Sequence, residues 1–190
     1  QIDGSTRYVV HSYFAFSEGA APQEYGFKQA ILKHGLPRTY YVDLGSAYIA
    51  ESLVLICAEL GIRLLHTGVQ DCEAKGVIER WHRTWREEVG DELPPQALPI
   101  AELNAKHWAW LGAEYHARRH DTTGRSPREH WLGEVQHLRL LPRHKNLDEV
   151  FLHRERRFVR KDGTVRLRGR LLEVRPELVG REVELRFDPG

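Results

Sequence analysis

The chain contains no methionine and only two cysteines in 190 residues. Two cysteines, Cys57 inside an apolar-periodic segment and Cys72 in a polar one, build neither a disulfide framework nor a zinc pattern, and a reduced cytoplasm is the setting they fit. No stretch reaches 18 consecutive apolar residues, and no charged-then-apolar leader opens the chain, so neither a membrane span nor a secretory signal is expected. A Gly-rich phosphate loop is also missing, which argues against a kinase or other nucleotide enzyme. Starting at Gln1 with no initiator Met, the sequence reads as a fragment of a longer chain.

Overall charge is low too, a formal +1, but it is unevenly spread. Residues 151–190 carry 11 Lys and Arg against 7 Asp and Glu, whereas residues 1–150 carry 17 against 20. Basic character is therefore concentrated at the C-terminal end. A hydrophobic content of 41% with 29% charged residues gives enough apolar material for one core and a small satellite.

The most informative stretch runs from Tyr40 to Glu88. Tyr40–Val42 is a short β-prone run that breaks at Asp43 into Leu44-Gly45-Ser46, leaving a carboxylate at a strand end. Apolar residues Leu53, Val54, Ile56, Cys57 and Leu60 recur at helical steps and Gly61 stops them. Ile62–His66 reads as a buried strand, and residues 68–76, polar between two glycines, as a mobile loop. From Val77 a helix is expected with two unlike faces. Ile78, Trp81, Trp85 and Val89 form a core stripe, while Glu79, His82, Arg83 and Arg86 fall on the exposed side. Such a face suits a metal ion at one end and phosphates beyond it.

These residues resemble the DDE transposases and retroviral integrases. In that family an Asp at a strand end is followed, about 35 residues later, by a Glu on a helix after a Gly-containing loop. Here 35 residues separate Asp43 from Glu79, and Lys75-Gly76-Val77-Ile78-Glu79-Arg80 is similar to the family's Lys-Gly-x-x-Glu-Arg signature. Among 27 acidic residues such a spacing arises by chance, so the weight rests on the strand end, the Gly-Ser turn, the helix, the strand and the loop in order. Leu44 departs from the pattern, standing where the family commonly has Asn.

Two further stretches extend the resemblance. Residues 2–10, Ile-Asp-Gly-Ser-Thr-Arg-Tyr-Val-Val, are similar to the hairpin Ile-Asp-x-x-Ser-Arg-Tyr-Val, whose second strand would run through about Phe16 as a central strand. In the family that Asp is not the first catalytic carboxylate, which lies upstream; the alternative is that Asp3 itself serves, and the plain reading is a turn-forming Asp before Gly. A helix from about Pro22 to His34, with Tyr25, Phe27, Ile31 and Leu32 as its apolar positions and Gly35 as its end, precedes the Asp43 strand. After a Pro-rich connection at 91–99, a helix from Ile100 to about Arg118 leads to residues 115–131, which resemble the closing motif His-x-x-x-Gly-x-Ser/Thr-Pro-x-x-x-Trp/Tyr, with Ser126-Pro127 as cap and first turn. His116 and His120 sit four apart, a metal-capable spacing, although a helix end beside the negative dipole pole explains them as well.

Beyond residues 136–150, read as a linker, the period becomes two. Val165 and Leu167, then Val183, Leu185 and Phe187, alternate with charged residues around a Lys161-Asp162-Gly163-Thr164 turn. This segment resembles the small β-barrel that follows the catalytic core in Mu-like transposases. Its Arg-rich outer face points to nucleic acid, or to a docking or merely solvated surface.

The fold expected is therefore α/β: an RNase H-like mixed sheet flanked by helices over 1–135, then a small antiparallel β-barrel over 151–190. The resemblance implies DNA cleavage and strand transfer with two Mg²⁺ or Mn²⁺ ions held by Asp43 and Glu79 as catalytic metal ligands, and Lys75, Arg83 and Arg86 on DNA phosphates. It implies a bacterial, nucleoid-associated setting, transposon-end and target DNA as partners, self-association, and neither a membrane nor a small-molecule substrate. With the first catalytic Asp upstream of Gln1, the chain alone is expected to be inactive. The alternative is a transposase-derived DNA-binding or assembly module without catalysis.

Overall fold

A computed structural model describes residues 1–43, 51–67 and 72–188, the side chains of residues 43, 67 and 72–75 excepted. The chain is mixed α/β and divides into two compact units, Gln1–Lys145 and Asn146–Gly190.

In the first unit, helix α1 (Ala20–His34) is followed by strand β1 (Thr39–Asp43), helix α2 (Glu51–Glu59), strand β2 (Arg63–Thr67) and helix α3 (Cys72–Trp85). Strands β1 and β2 pair in parallel from Thr39↔Arg63 to Asp43↔Thr67, so both end at the same edge. Parallel pairing needs a crossover, and α2 provides it by burying Leu53, Ile56 and Cys57. Val54, expected on the same stripe, is 46% exposed. Helix α1 likewise buries Phe27, Ala30 and Ile31, whereas Tyr25 and Leu32 face outward. Phe27 stacks on Tyr40 of β1 with ring centroids 4.2 Å apart, tying helix to sheet.

Helix α3 starts at Cys72 rather than at Val77, so residues 72–76 are helical and residues 68–71 of the expected loop fall outside the described residues. Glu73, Ala74 and Lys75 are good helix formers, and one Gly in an otherwise favourable run costs only about 1 kcal/mol. The helix passes into a π-helical turn (Arg86–Gly90). Helix α4 (Ile100–Trp110) does the same (Leu111–Tyr115) and ends just short of the expected Arg118. The expected stripes of both helices meet here: Trp81, Val89, Trp110, Leu111 and Tyr115 form one core with Val9, flanked by Ile2, Ile78, Trp85 and Leu93. At its centre His107 is fully buried, with neither ring nitrogen bonded, among Phe14, Trp81, Trp85 and Trp110.

Residues 7–16 are not the regular central strand expected. Among the described residues their one β-bridge joins Val9 to Ile2. Side chains take the place of a neighbouring strand: Asn104 accepts from Phe14 N at 2.7 Å and donates to Phe14 O at 3.0 Å, and Trp108 Nε1 donates to Ser12 O at 2.7 Å. His116 Nε2 accepts from Val9 N at 3.1 Å, and the Tyr115 hydroxyl donates to Arg7 O at 3.1 Å. A helix thus satisfies backbone groups that a ladder would otherwise pair.

Helix α5 (Pro127–Glu134) opens with a full capping box, Ser126 Oγ accepting from Glu129 N at 3.2 Å and Glu129 accepting from Ser126 N at 3.1 Å. Residues 136–145, expected as part of a linker, belong to this unit. Arg139 O accepts from Leu36 N at 2.7 Å, and the Arg139 guanidinium donates to Leu60 O and Gly61 O where α2 has ended.

The second unit starts with the short helix α6 (Leu147–Val150). Strands β3 (His153–Phe158) and β6 (Glu182–Phe187) form one antiparallel ladder, β4 (Thr164–Leu167) and β5 (Arg170–Glu173) another. Val183, Leu185 and Phe187 are half-buried and alternate with exposed Glu182, Glu184 and Arg186, as the period of two requires. The Asp162-Gly163 turn forms as expected, with Gly163 at φ 73° and Asp162 accepting from Thr164 N and Oγ1 at 3.1 and 2.7 Å. Val159 and Val165 are fully buried. No sheet closes into a barrel among the described residues.

Candidate functional site

Two carboxylate positions meet the sheet edge differently. Asp43 is the last residue of β1, paired with Thr67 at the end of β2. After β2 the chain enters α3, and Glu79 stands two turns into that helix on its exposed side. Helical spacing puts Lys75 one turn before Glu79 and Arg83 one turn after it on one face, with Arg86 following where the π-helical turn begins. Glu79, Arg83 and Arg86 are all exposed. The side chains of Asp43 and Lys75, and residues 44–46 of the Leu-Gly-Ser turn, lie outside the described residues. The structure therefore gives the order and the helix face of the expected set, without the approach of the two carboxylates.

Other expected candidates are committed to the fold. Asp3 Oδ1 accepts from Thr6 N and Thr6 Oγ1, both at 2.7 Å, which closes the N-terminal turn. His116 is buried, bonded to Val9 N, and stacked on Tyr8 at 4.0 Å between centroids. Burial, with Arg128 and His34 adding to it, pushes its pKa down to about 4, so the ring is neutral and takes a backbone proton as acceptor. Burial also raises the Cys57 thiol to about 11, which makes it an inert core side chain. Among the described residues no group of three or more His, Cys, Asp or Glu side chains gathers around one point.

Sequence reasoning missed a cleft of about 250 Å³ on another flank of α3. Arg80 and Thr84 of α3, Arg7 of the N-terminal turn, and His120 and Thr122 of the turn before α5 supply its polar lining. Arg80 Nη1 and Thr122 Oγ1 are 3.5 Å apart across it. The clues in the sequence were Arg7 in the hairpin motif, Arg80 in the Glu-Arg pair, and His120 and Thr122 in the closing motif, residues that meet only through the fold.

In the second unit, four arginines, Arg157, Arg160, Arg166 and Arg168, line a shallow groove of about 430 Å³ with Phe158, whose side chain is 65% exposed. The Arg168 guanidinium lies 4.9 Å from the Phe187 ring centroid. Guanidinium groups beside an open aromatic face are the equipment of nucleic-acid binding surfaces. Compared with known proteins, the chain matches no family model and no curated protein sequence.

Proposed function

We propose that the first unit is the RNase H-like core of a DNA strand-transfer enzyme of the transposase and integrase type, and that the second is a small β-barrel unit that holds DNA. The observation that carries this reading is the β1–α2–β2–α3 order, with β1 and β2 parallel and ending together at Asp43 and Thr67, and with Glu79 exposed on the helix that follows. In open α/β sheets the strand ends are where ligands gather.

The donor chemistry fits a divalent ion. Asp43 and Glu79 offer hard carboxylate oxygens suited to Mg²⁺ or Mn²⁺, and Glu79 has access to solvent. When bound, such ions activate an attacking oxygen and neutralise charge on the leaving one. The chain's own part is to hold and orient DNA. Lys75, Arg83 and Arg86 flank Glu79 along one face and would position backbone phosphates, a contribution that is independent of base sequence and falls as salt rises. The arginine groove around Phe158 would carry a second length of the same DNA, and the chain would act as a multimer on transposon ends and target.

A second reading, a DNA-binding or assembly module without catalysis, is favoured by that groove, which needs no metal. Titrating the full chain with Mn²⁺ and following paramagnetic broadening of the Asp43 and Glu79 amide signals separates the two. Broadening at both positions that Asp43→Asn or Glu79→Gln weakens is the result expected for the enzyme. DNA binding by a chain whose signals Mn²⁺ leaves sharp would sink the metal site and leave the module.

A further inference from the structure

The cleft on the flank of α3 gathers two arginines from separate segments. Consecutive helical residues point about 100° apart, so Arg80 leaves the helix to one side of Glu79 and enters a separate concavity. Arg7 of the N-terminal turn lines the same cleft, its guanidinium donating to Gly4 O, and its root is fixed. Its backbone sits at φ +62°, a conformation L-residues rarely adopt, held by Arg7 N donating to Asp3 O at 3.0 Å and by the Tyr115 hydroxyl on Arg7 O. Strain of this kind persists only where surrounding bonds impose it, and here it fixes where a guanidinium starts.

His120 supplies a second, independent sign. Its Nδ1 is buried and bonded to nothing, although a buried ring nitrogen ordinarily finds a partner. Its backbone is locked, with N donating to Arg125 O at 2.9 Å and O accepting from Gly124 N at 2.8 Å, so the ring is not there by looseness of the turn. Burial first, then Arg7 and Arg80, with Arg118 also contributing, hold its pKa below the usual value, while Asp121 opposes them. The orphaned nitrogen thus lies in a positive field.

We propose that this cleft is a phosphate site, in which the Arg7 and Arg80 guanidiniums and the Thr122 hydroxyl converge on phosphate oxygens and the His120 ring closes one wall. Charge-assisted bonds from two arginines outweigh the contacts they now make, the long one from Arg80 to Thr122 and that of the Arg7 guanidinium to Gly4 O. Ile2, Val77 and Trp81 supply the cleft with an apolar side. The phosphate is either part of a DNA backbone or a free phosphate, and only the first source rests on the strand-transfer reading. In that case a strand anchored here crosses α3 next to Glu79, and the cleft fixes one phosphate of the strand that approaches the carboxylates.

The test follows the His120 ring nitrogens by nitrogen-15 NMR in the full chain, with inorganic phosphate in one arm and a mixed-sequence DNA duplex in the other. The expected result is a shift of the His120 signals by at least one probe. Response to the duplex assigns a DNA phosphate, and response to inorganic phosphate alone assigns a free one. Arg80→Gln should weaken the responding probe by about tenfold and, for DNA, lower the slope of log affinity against log salt by about 1. Thr122→Val, at an exposed turn position, should weaken it in the same direction, and tryptophan fluorescence verifies that both variants fold. His120 signals that neither probe moves would overturn the proposal. If DNA then still binds, and Arg83→Gln with Arg86→Gln abolishes that binding, the strand-transfer reading survives without the cleft. A phosphate response in a chain that binds no DNA is the converse: the cleft stands and the DNA reading falls.

Discussion

Lowering the pH from 8 to 5 should destabilise the first unit before any carboxylate is protonated in bulk. His107 is fully buried with both nitrogens unbonded, and His116 is 7% exposed with Nε2 accepting from Val9 N. Each is pushed down to about 4, in both cases chiefly by burial, from an ordinary value of 6.5. The unfolded chain therefore binds protons below 6.5 that the folded chain refuses, and stability falls as pH falls through the window from 6.5 to 4. At pH 5 the loss is about 2 kcal/mol for each ring, so about 4 kcal/mol for the pair, against a total that rarely exceeds 15 kcal/mol. His11, pushed to about 4, and His34, His82 and His120, each held below the usual value chiefly by burial, act in the same direction. All five tryptophans, at 81, 85, 108, 110 and 131, lie in this unit, so their fluorescence during urea unfolding reports it alone. With a urea dependence of about 2 kcal/mol per molar, the midpoint should drop by about 2 M between pH 8 and pH 5. His107→Leu, which fills a similar volume inside the aromatic cage with no nitrogens to bury, should remove about half of that drop without lowering the midpoint at pH 8. An equal midpoint at both pH values, or a drop unchanged by His107→Leu, would refute the reasoning.

Three other perturbations have outcomes set by local geometry. Gly35→Ala places a Cβ 2.8 Å from Arg139 O at a residue with φ +81°, so it should cost about 2 kcal/mol or more in urea unfolding. Asn104→Ala removes both partners of Phe14's backbone groups and should cost about 1–2 kcal/mol, with faster amide exchange at Phe14; an unchanged exchange rate would mean that water already serves there. Ser126→Ala breaks the capping box of α5 and should lower stability by about 1 kcal/mol, while Ser126→Asp, another side-chain acceptor at that position, should restore most of it.

What could be read from the sequence was whatever a single element decides for itself. The stripe Ile78, Trp81, Trp85, Val89 is a property of one helix, and all four turn inward; Leu103, His107, Leu111 and Tyr115 repeat the case on the next helix. Ser126-Pro127 and Asp162-Gly163 are local chemistry, and cap and turn form where expected. Periodicity could not show the partner of residues 7–16. Their β-rich composition predicts a strand, but an extended segment becomes a regular strand only if a ladder satisfies its backbone, and here Asn104, Trp108, Tyr115 and His116, 90 to 108 residues away, do so instead.

The same limit divides the two candidate sites. Lys75, Glu79, Arg83 and Arg86 share a helix face, so their common placement is a matter of spacing and was legible before any fold. Arg7, Arg80, His120 and Thr122 come from three separate segments, and nothing in the order of residues says that a strained N-terminal turn and a post-helical turn will close on one flank of α3. That difference bears on which site is the more discriminating test of function. A basic helix face is common on soluble proteins and binds any polyanion weakly, since exposed charges are screened within about 10 Å at ordinary salt. Two arginines gathered in one cleft beside a buried, unbonded ring nitrogen are a costly arrangement for a fold to keep, and an anion in that cleft offsets the charge. Binding at the helix face would establish an affinity for DNA, whereas a phosphate seated against His120 would fix where a strand lies relative to Glu79.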